Sequence, residues 1–154
     1  AAYAKELARR LSKKHEVTVL AYAHLPEELP GVGIVAIDKR QSRLGRLRTF
    51  RKAYHAAAQN ADAVIAINGA SVELPMLLGT SAPIVFCIAD KAAYARGGVL
   101  ERLAFSRAHA VVEKTPGRKP EILPLEPAPT EALAAWEAAW KTHLEELASL
   151  LNHG

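Results

Sequence analysis

The sequence predicts an α/β fold, a doubly wound parallel sheet with a long C-terminal helix packing back on it. Short apolar runs rich in β-branched residues recur along the chain, as in strands covered on both faces. Between them lie stretches whose apolar residues repeat at helical spacing. Strands that alternate with helices build right-handed βαβ units and hence a parallel sheet.

A chain of 154 residues fits one domain that buries about two thirds of its unfolded surface. With 50% hydrophobic and 23% charged residues, it has the balance of an ordinary globular protein. Cys87 is the single cysteine and forms no internal disulfide. Set in Ile84-Val85-Phe86-Cys87-Ile88, it reads as a buried structural thiol rather than a nucleophile, and a reducing cytoplasm is the expected setting. No apolar stretch approaches the roughly 20 residues that span a bilayer, so a soluble protein is expected. The net charge of +4 admits an anionic partner, whether phosphate, membrane surface or nucleic acid.

Tyr3, Ala4, Leu7 and Leu11 keep one helical face apolar over residues 1 to 13. That helix opens without a capping residue, so an upstream segment is expected. Glu16 to Tyr22 reads as a strand, and Leu25-Pro26 to Pro30-Gly31 breaks the chain before a second strand, Val32 to Ile37. From Arg43 to Ala61 the stripe Leu44, Leu47, Phe50, Tyr54, Ala57, Ala58, Ala61 predicts a helix with those residues inward. Asp62 to Ile67 is a third strand, stopped by Asn68-Gly69; Val72 to Leu78 is a short helix and Pro83 to Ile88 a fourth strand. A helix follows Gly97-Gly98, Ala110 to Glu113 makes a fifth strand and Glu121 to Pro124 a possible sixth. Thr130 is the expected N-cap of a last helix, Glu131 to Leu151, whose apolar face runs Leu133, Trp136, Trp140, Leu144, Leu147, Leu151. In such sheets ligands sit beyond the carboxyl ends of the strands, which points to the loops 22–25, 38–42, 68–71 and 89–98.

The run from Ala4 to Leu20 resembles the first helix and second strand of GT-B glycosyltransferases, particularly the family-four type. Pro30-Gly31-Val32, Asn60 to Ala66, Ala82 to Phe86 and Ser106 to Val112 follow in the family's order. Ala134-Ala135-Trp136-Glu137 resembles the start of the helix that closes the family's chain by returning to the N-terminal domain. The resemblance covers most of the chain, though each piece is modest in specificity. It implies a Rossmann-like N-terminal domain over residues 1–127, without its first strand, and a closing helix over 130–151. The activity implied is transfer of a sugar from a nucleotide sugar to a glycan or lipid acceptor, this chain supplying the acceptor-binding half. Nothing between Leu125 and Thr130 supplies the second, donor-binding domain, so that domain or subunit is an expected partner. The nucleotide sugar enters as substrate, and no cofactor is expected.

The family commonly closes its fourth strand with a His-Asp or similar pair, where this chain has Ala89-Asp90. Asp90 is the candidate catalytic residue, as base or hydrogen-bond acceptor for the acceptor hydroxyl; a turn residue is the plainer reading. Asn68, Gly69, Gly97 and Gly98 are candidate acceptor-binding positions. Asn68-Gly69 suits a turn near a ligand, and Gly97-Gly98 before a helix offers free N–H groups or a simple helix lead-in. The alternative to an enzyme is a non-catalytic Rossmann-like module that binds a partner subunit or an anionic ligand; a flavodoxin-like regulatory domain is a third reading.

Lys39, Arg40, Arg43, Arg46, Arg48, Arg51 and Lys52 form the densest basic cluster. Arg43, Arg46, Arg48, Arg51 and Lys52 are candidates for an anion-binding or membrane-contacting face, which would make the protein peripheral on the inner face of a membrane. A solvated face around a core stripe is the other reading. Little aromatic interleaving speaks against nucleic acid. The histidines are scattered without i, i+3 or i, i+4 pairing, so no metal site is expected. Trp136 and Trp140 read as core packing rather than a sugar platform.

Overall fold

The computed structural model describes residues 2–22, 29–38, 40–67, 82–88, 109–120 and 130–152. In chain order these hold α1 (Ala2–Leu11), β1 (Val17–Tyr22), β2 (Val32–Ile37), α2 (Arg43–Ala58), β3 (Val64–Ile67), β4 (Ile84–Cys87), β5 (Ala110–Val112) and α3 (Thr130–Asn152). Each described element falls where the periodicity put it, with ends displaced by at most three residues and both ends of β2 as expected. Thr130 is the first residue of α3 rather than the residue before it, a shift within the ordinary fraying of helix ends. The short helix at 72–78, the helix after Gly98 and the strand at 121–124 lie outside the described residues.

Every strand pair among the described residues is parallel. β1 runs beside β2 with Val17 opposite Val32 and Tyr22 opposite Ile37. The second sheet has the order β3-β4-β5, with Val64 opposite Ile84 and Val85 opposite Ala110. The described residues thus form a mixed α/β structure with two small parallel sheets rather than one continuous sheet. The turn into β2 is closed by the Val32 N–H donating to Leu29 O at 3.1 Å. Gly31 adopts φ 77° there. Space is not the constraint, since a Cβ would meet only Ser12 at 3.8 Å; the left-handed backbone is.

Alternation along β3 places the helices. Val64 packs against Ile37, Phe50, Tyr54 and Ala58, the cluster that anchors α2 and also takes Leu20 of β1. Ile65 and Ile67 pack instead against Leu7, Val85, Cys87, Val112, Trp140 and Leu147, the core beneath α1 and α3. Neighbouring residues in a strand point to opposite faces, so α2 covers one face of β3 while α1 and α3 cover the other. All four residues of β4 are buried.

The seam between α1 and α3 is the most specific contact of the fold. The Arg10 guanidinium lies 5.0 Å from the Trp136 ring centre and 5.1 Å from that of Trp140. It donates to both Glu137 carboxylate oxygens at 2.9 Å and to Glu6 at 2.7 Å. The rigid fork of an arginine allows this combination of a paired carboxylate and a stacked ring. Tyr3 stacks on Trp140 at 5.5 Å between ring centres, and its hydroxyl meets His143 Nε2 at 2.6 Å. Burial holds the Tyr3 phenol protonated, with the nearby Cys87 acting in the same direction, so the phenol and the imidazole share a hydrogen bond without a charge on the tyrosine. His143 is 3% exposed, and its Nδ1 has no partner among the described residues. Trp136 Nε1 donates to Gly117 O at 3.0 Å, tying the segment after β5 to α3.

Two predictions follow from this packing. Trp140, 1% exposed, joins α1, α3 and the sheet. Trp140→Ala is expected to lower the unfolding free energy by about 3–5 kcal/mol, measured by urea denaturation. Burial lowers the His143 pKa below its ordinary 6.5, with Glu146 opposing. The unfolded chain therefore holds more protons as the pH falls through 6.5, and stability present at neutral pH is lost below it. Glu6 and Glu137, both held below their ordinary 4.5, chiefly by hydrogen bonds to Arg9 and Arg10 respectively, lose their contribution only in stronger acid. The urea midpoint should fall between pH 7 and pH 5 in the native chain and change less in His143→Phe; an equal fall in both would assign the dependence elsewhere.

Candidate functional site

Asp90, Asn68, Gly69, Gly97 and Gly98 lie outside the described residues. The described strands fix the places from which their segments depart. Ile67 is opposite Cys87 at the carboxyl ends of β3 and β4, and Ile88 extends the ladder by donating its N–H to Val112 O at 2.9 Å. The chain therefore leaves β3 and β4 at the same end of the sheet, the end at which α/β sheets take ligands.

Of the candidate residues, the structure describes Arg43, Arg46, Arg48, Arg51 and Lys52, all on α2. Ser42 caps the helix, its hydroxyl accepting the Gly45 N–H at 3.1 Å. Thr49 donates to Gly45 O at 2.9 Å and lies 3.0 Å from Gln41 Oε1, which binds the preceding loop to the first turns. Ahead of the cap the Arg40 N–H donates to Asp38 Oδ1 at 2.9 Å.

The buried line of α2 is Phe50, Tyr54 and Ala58, a spacing of four. Leu44 and Leu47, expected inward on the same stripe, are 58% and 39% exposed. The reason is axial rather than angular. At 3.6 residues per turn Tyr54 and Ala58 stand about 40° and 80° from Phe50, so Leu47 at about 60° lies within the buried sector and Leu44 at about 120° at its edge. Both precede Phe50, the first residue of α2 in the core cluster, so the stripe read from the sequence runs further toward the N-terminus than the core that covers it. Arg46 is half-buried, while Arg43, Arg48, Arg51 and Lys52 are exposed.

The basic residues therefore do not share a single face. Leu44, Arg48, Arg51 and His55 follow the i, i+4, i+7, i+11 spacing of one outer stripe, with Leu47 and Lys52 on its borders. Among the described residues none of these cations forms an ion pair with a carboxylate.

Cys87 is 1% exposed and burial pushes its thiol up, so it remains a protonated packing group at neutral pH. Trp140 is core and Trp136 half-buried under Arg10. The contact of Tyr3 with His143 was not legible in the sequence, because 140 positions separate the pair; a histidine within the apolar stretch of the last helix was its only sign. No helix among the described residues is long and apolar enough to cross a membrane. No three His, Cys, Asp or Glu side chains among them converge as metal ligands do.

No family model matches the chain, and neither a curated protein nor a solved structure matches it.

Because Ser42 holds the turn that carries Arg43 and Leu44, Ser42→Ala is expected to cost about 1 kcal/mol. Ser42→Asp should recover most of that loss in the same urea titration, whereas an unchanged midpoint in Ser42→Ala would show that the cap contributes nothing.

Proposed function

We propose that this chain is the acceptor-binding half of a GT-B glycosyltransferase, passing a sugar from a nucleotide sugar to a glycan or lipid acceptor in concert with a separate donor-binding domain. The observation that carries the reading is the return of the C-terminal helix onto the first one. Arg10 meets Glu137 at 2.9 Å, beside Trp136, within the segment whose sequence resembles the family's closing helix. Parallel strands with helices on both faces of β3 are compatible with one doubly wound, Rossmann-like sheet, of which the two described sheets would be parts.

In this reading the acceptor lies beyond the carboxyl ends of β3 and β4. Asp90 follows β4 and would accept the proton of the acceptor hydroxyl as its oxygen attacks the anomeric carbon and the nucleotide departs. Asn68 and Gly69, then Gly97 and Gly98, would line the acceptor from the two adjacent loops. A second reading, a non-catalytic module for an anionic ligand or partner, is favoured by the exposed cations of α2, which pair with no carboxylate among the described residues.

The two readings separate by activity. The chain alone should release no nucleotide from UDP- or GDP-sugars. With a GT-B donor domain supplied in trans, or fused between Leu125 and Thr130, transfer should appear, and Asp90→Asn should reduce kcat about 10²–10⁴-fold. Failure of every donor domain to elicit transfer would leave the binding module as the reading to keep.

A further inference from the structure

Among the described residues β4 is hydrogen-bonded on both edges and β3 on one. The Val64 N–H donates to Pro83 O at 2.9 Å, so Val64 and, two residues on, Ala66 turn their backbone groups toward β4. Residues along a parallel ladder offer N–H and C=O to its two edges alternately. Ile65 and Ile67 are thereby left aimed at the opposite edge, where no described strand takes them. β1 is open in the same way, with β2 on one edge and no described strand on the other. Backbone polar groups sheltered from water need partners, and few in native proteins lack them.

The two open edges lie under the same helices. Leu20 of β1 and Val64 of β3 both pack against the Ile37, Phe50, Tyr54 and Ala58 cluster beneath α2. On the face that α1 covers, that helix packs on β1 and sends Leu7 into the core that holds Ile65 and Ile67. β1 is also the inner strand of its pair. Val17, Val19, Leu20 and Ala21 are half-buried, whereas Gly33, Val35 and Ala36 of β2 are exposed. A helix with its side chains is about 10–12 Å across, which covers two strand spacings of about 4.8 Å. Because β1 and β3 do not pair with each other, the space between them is about one strand wide.

We propose that the slot between β1 and β3 is a binding site for an extended polypeptide strand, apolar on both faces, which runs parallel to its neighbours and joins the two sheets into one. The chain passes from β2 through the single helix α2 into β3, a crossover that joins parallel strands, so both borders of the slot run in one direction. The occupant matches β1 in length, 6 residues. Helices on both sides of the layer exclude water, so valine or isoleucine suits every position, as in other strands buried on both faces. On one edge it bonds to the backbone of Ile65 and Ile67, and on the other to β1. A second copy of the chain is a poor source, because each of its described strands already belongs to a sheet. Glycosyl transfer has no part in this binding, which is read on the chain itself.

The probe is a synthetic hexapeptide of valine and isoleucine, kept soluble by a pair of lysines at each end and added to the 154-residue chain. Hydrogen exchange resolved to single amides gives the readout. In the free chain Ile65 and Ile67 should exchange about tenfold or more faster than Val64 and Ala66. Peptide at about 100 times its Kd should slow Ile65, Ile67 and the open edge of β1 by about 100-fold. The same peptide N-methylated at alternate residues keeps its side chains but loses ladder donors, and should bind about tenfold or more weakly. Equal protection of Ile65, Ile67, Val64 and Ala66 in the free chain overturns the proposal, since the chain would then close the slot itself. So does equal binding of the N-methylated peptide, which would mean adsorption on apolar surface. Protection confined to β2 or β5, or no binding up to the solubility limit of the peptide, overturns it as well.

Discussion

The structure turns on β4. Ile84, Val85, Phe86 and Cys87 are all buried, and a strand with no solvent face has to be covered on both sides and hydrogen-bonded on both edges. β3 and β5 supply the edges. α1 and α3 cover the side on which Val85 and Cys87 join Leu7, Trp140 and Leu147. The parallel pairing has the same origin, because parallel ladders occur where layers of helix exclude water from both faces.

Covering that face takes two helices from opposite ends of the chain, and they must find each other as well as the sheet. Apolar area supplies the drive, but it would accept many registers. Arg10 restricts them, since its guanidinium sits beside both indole rings and grips Glu137 with two parallel bonds. Tyr3 and His143 add a second fixed point nearly two helical turns further along α3. A buried polar pair of this kind specifies geometry more than it adds stability.

α2 shows how a sequence pattern is read correctly in kind and wrongly in extent. The helix and the inward Phe50, Tyr54 and Ala58 were legible. Leu44 and Leu47 were counted with them because apolar residues at i, i+3 spacing are the usual mark of a core stripe. They continue that stripe toward the N-terminus, and only the position of the core beneath the helix decides which turns are covered. The basic residues were legible as a cluster, but their division between an outer face and the half-buried Arg46 was not, since charge alone carries no angular reference to the core. The loop residues named from the sequence, Asn68, Gly69, Asp90, Gly97 and Gly98, are outside the described residues; what the structure contributes there is the common departure point of their segments at the ends of β3 and β4.

By itself the sequence determined the local structure: where strands and helices lie, and which positions break the chain, as Gly31 does with its positive φ. Those features follow from backbone sterics and short-range periodicity, which neighbouring residues fix among themselves. Tertiary structure alone decided that two short parallel sheets form among the described residues, that α1 and α3 share one face, that Arg10 pairs with Glu137 across 127 positions, and that Leu44 faces water. These are long-range outcomes. They depend on which apolar surfaces meet first and on the directions their side chains then point, and a linear pattern encodes neither.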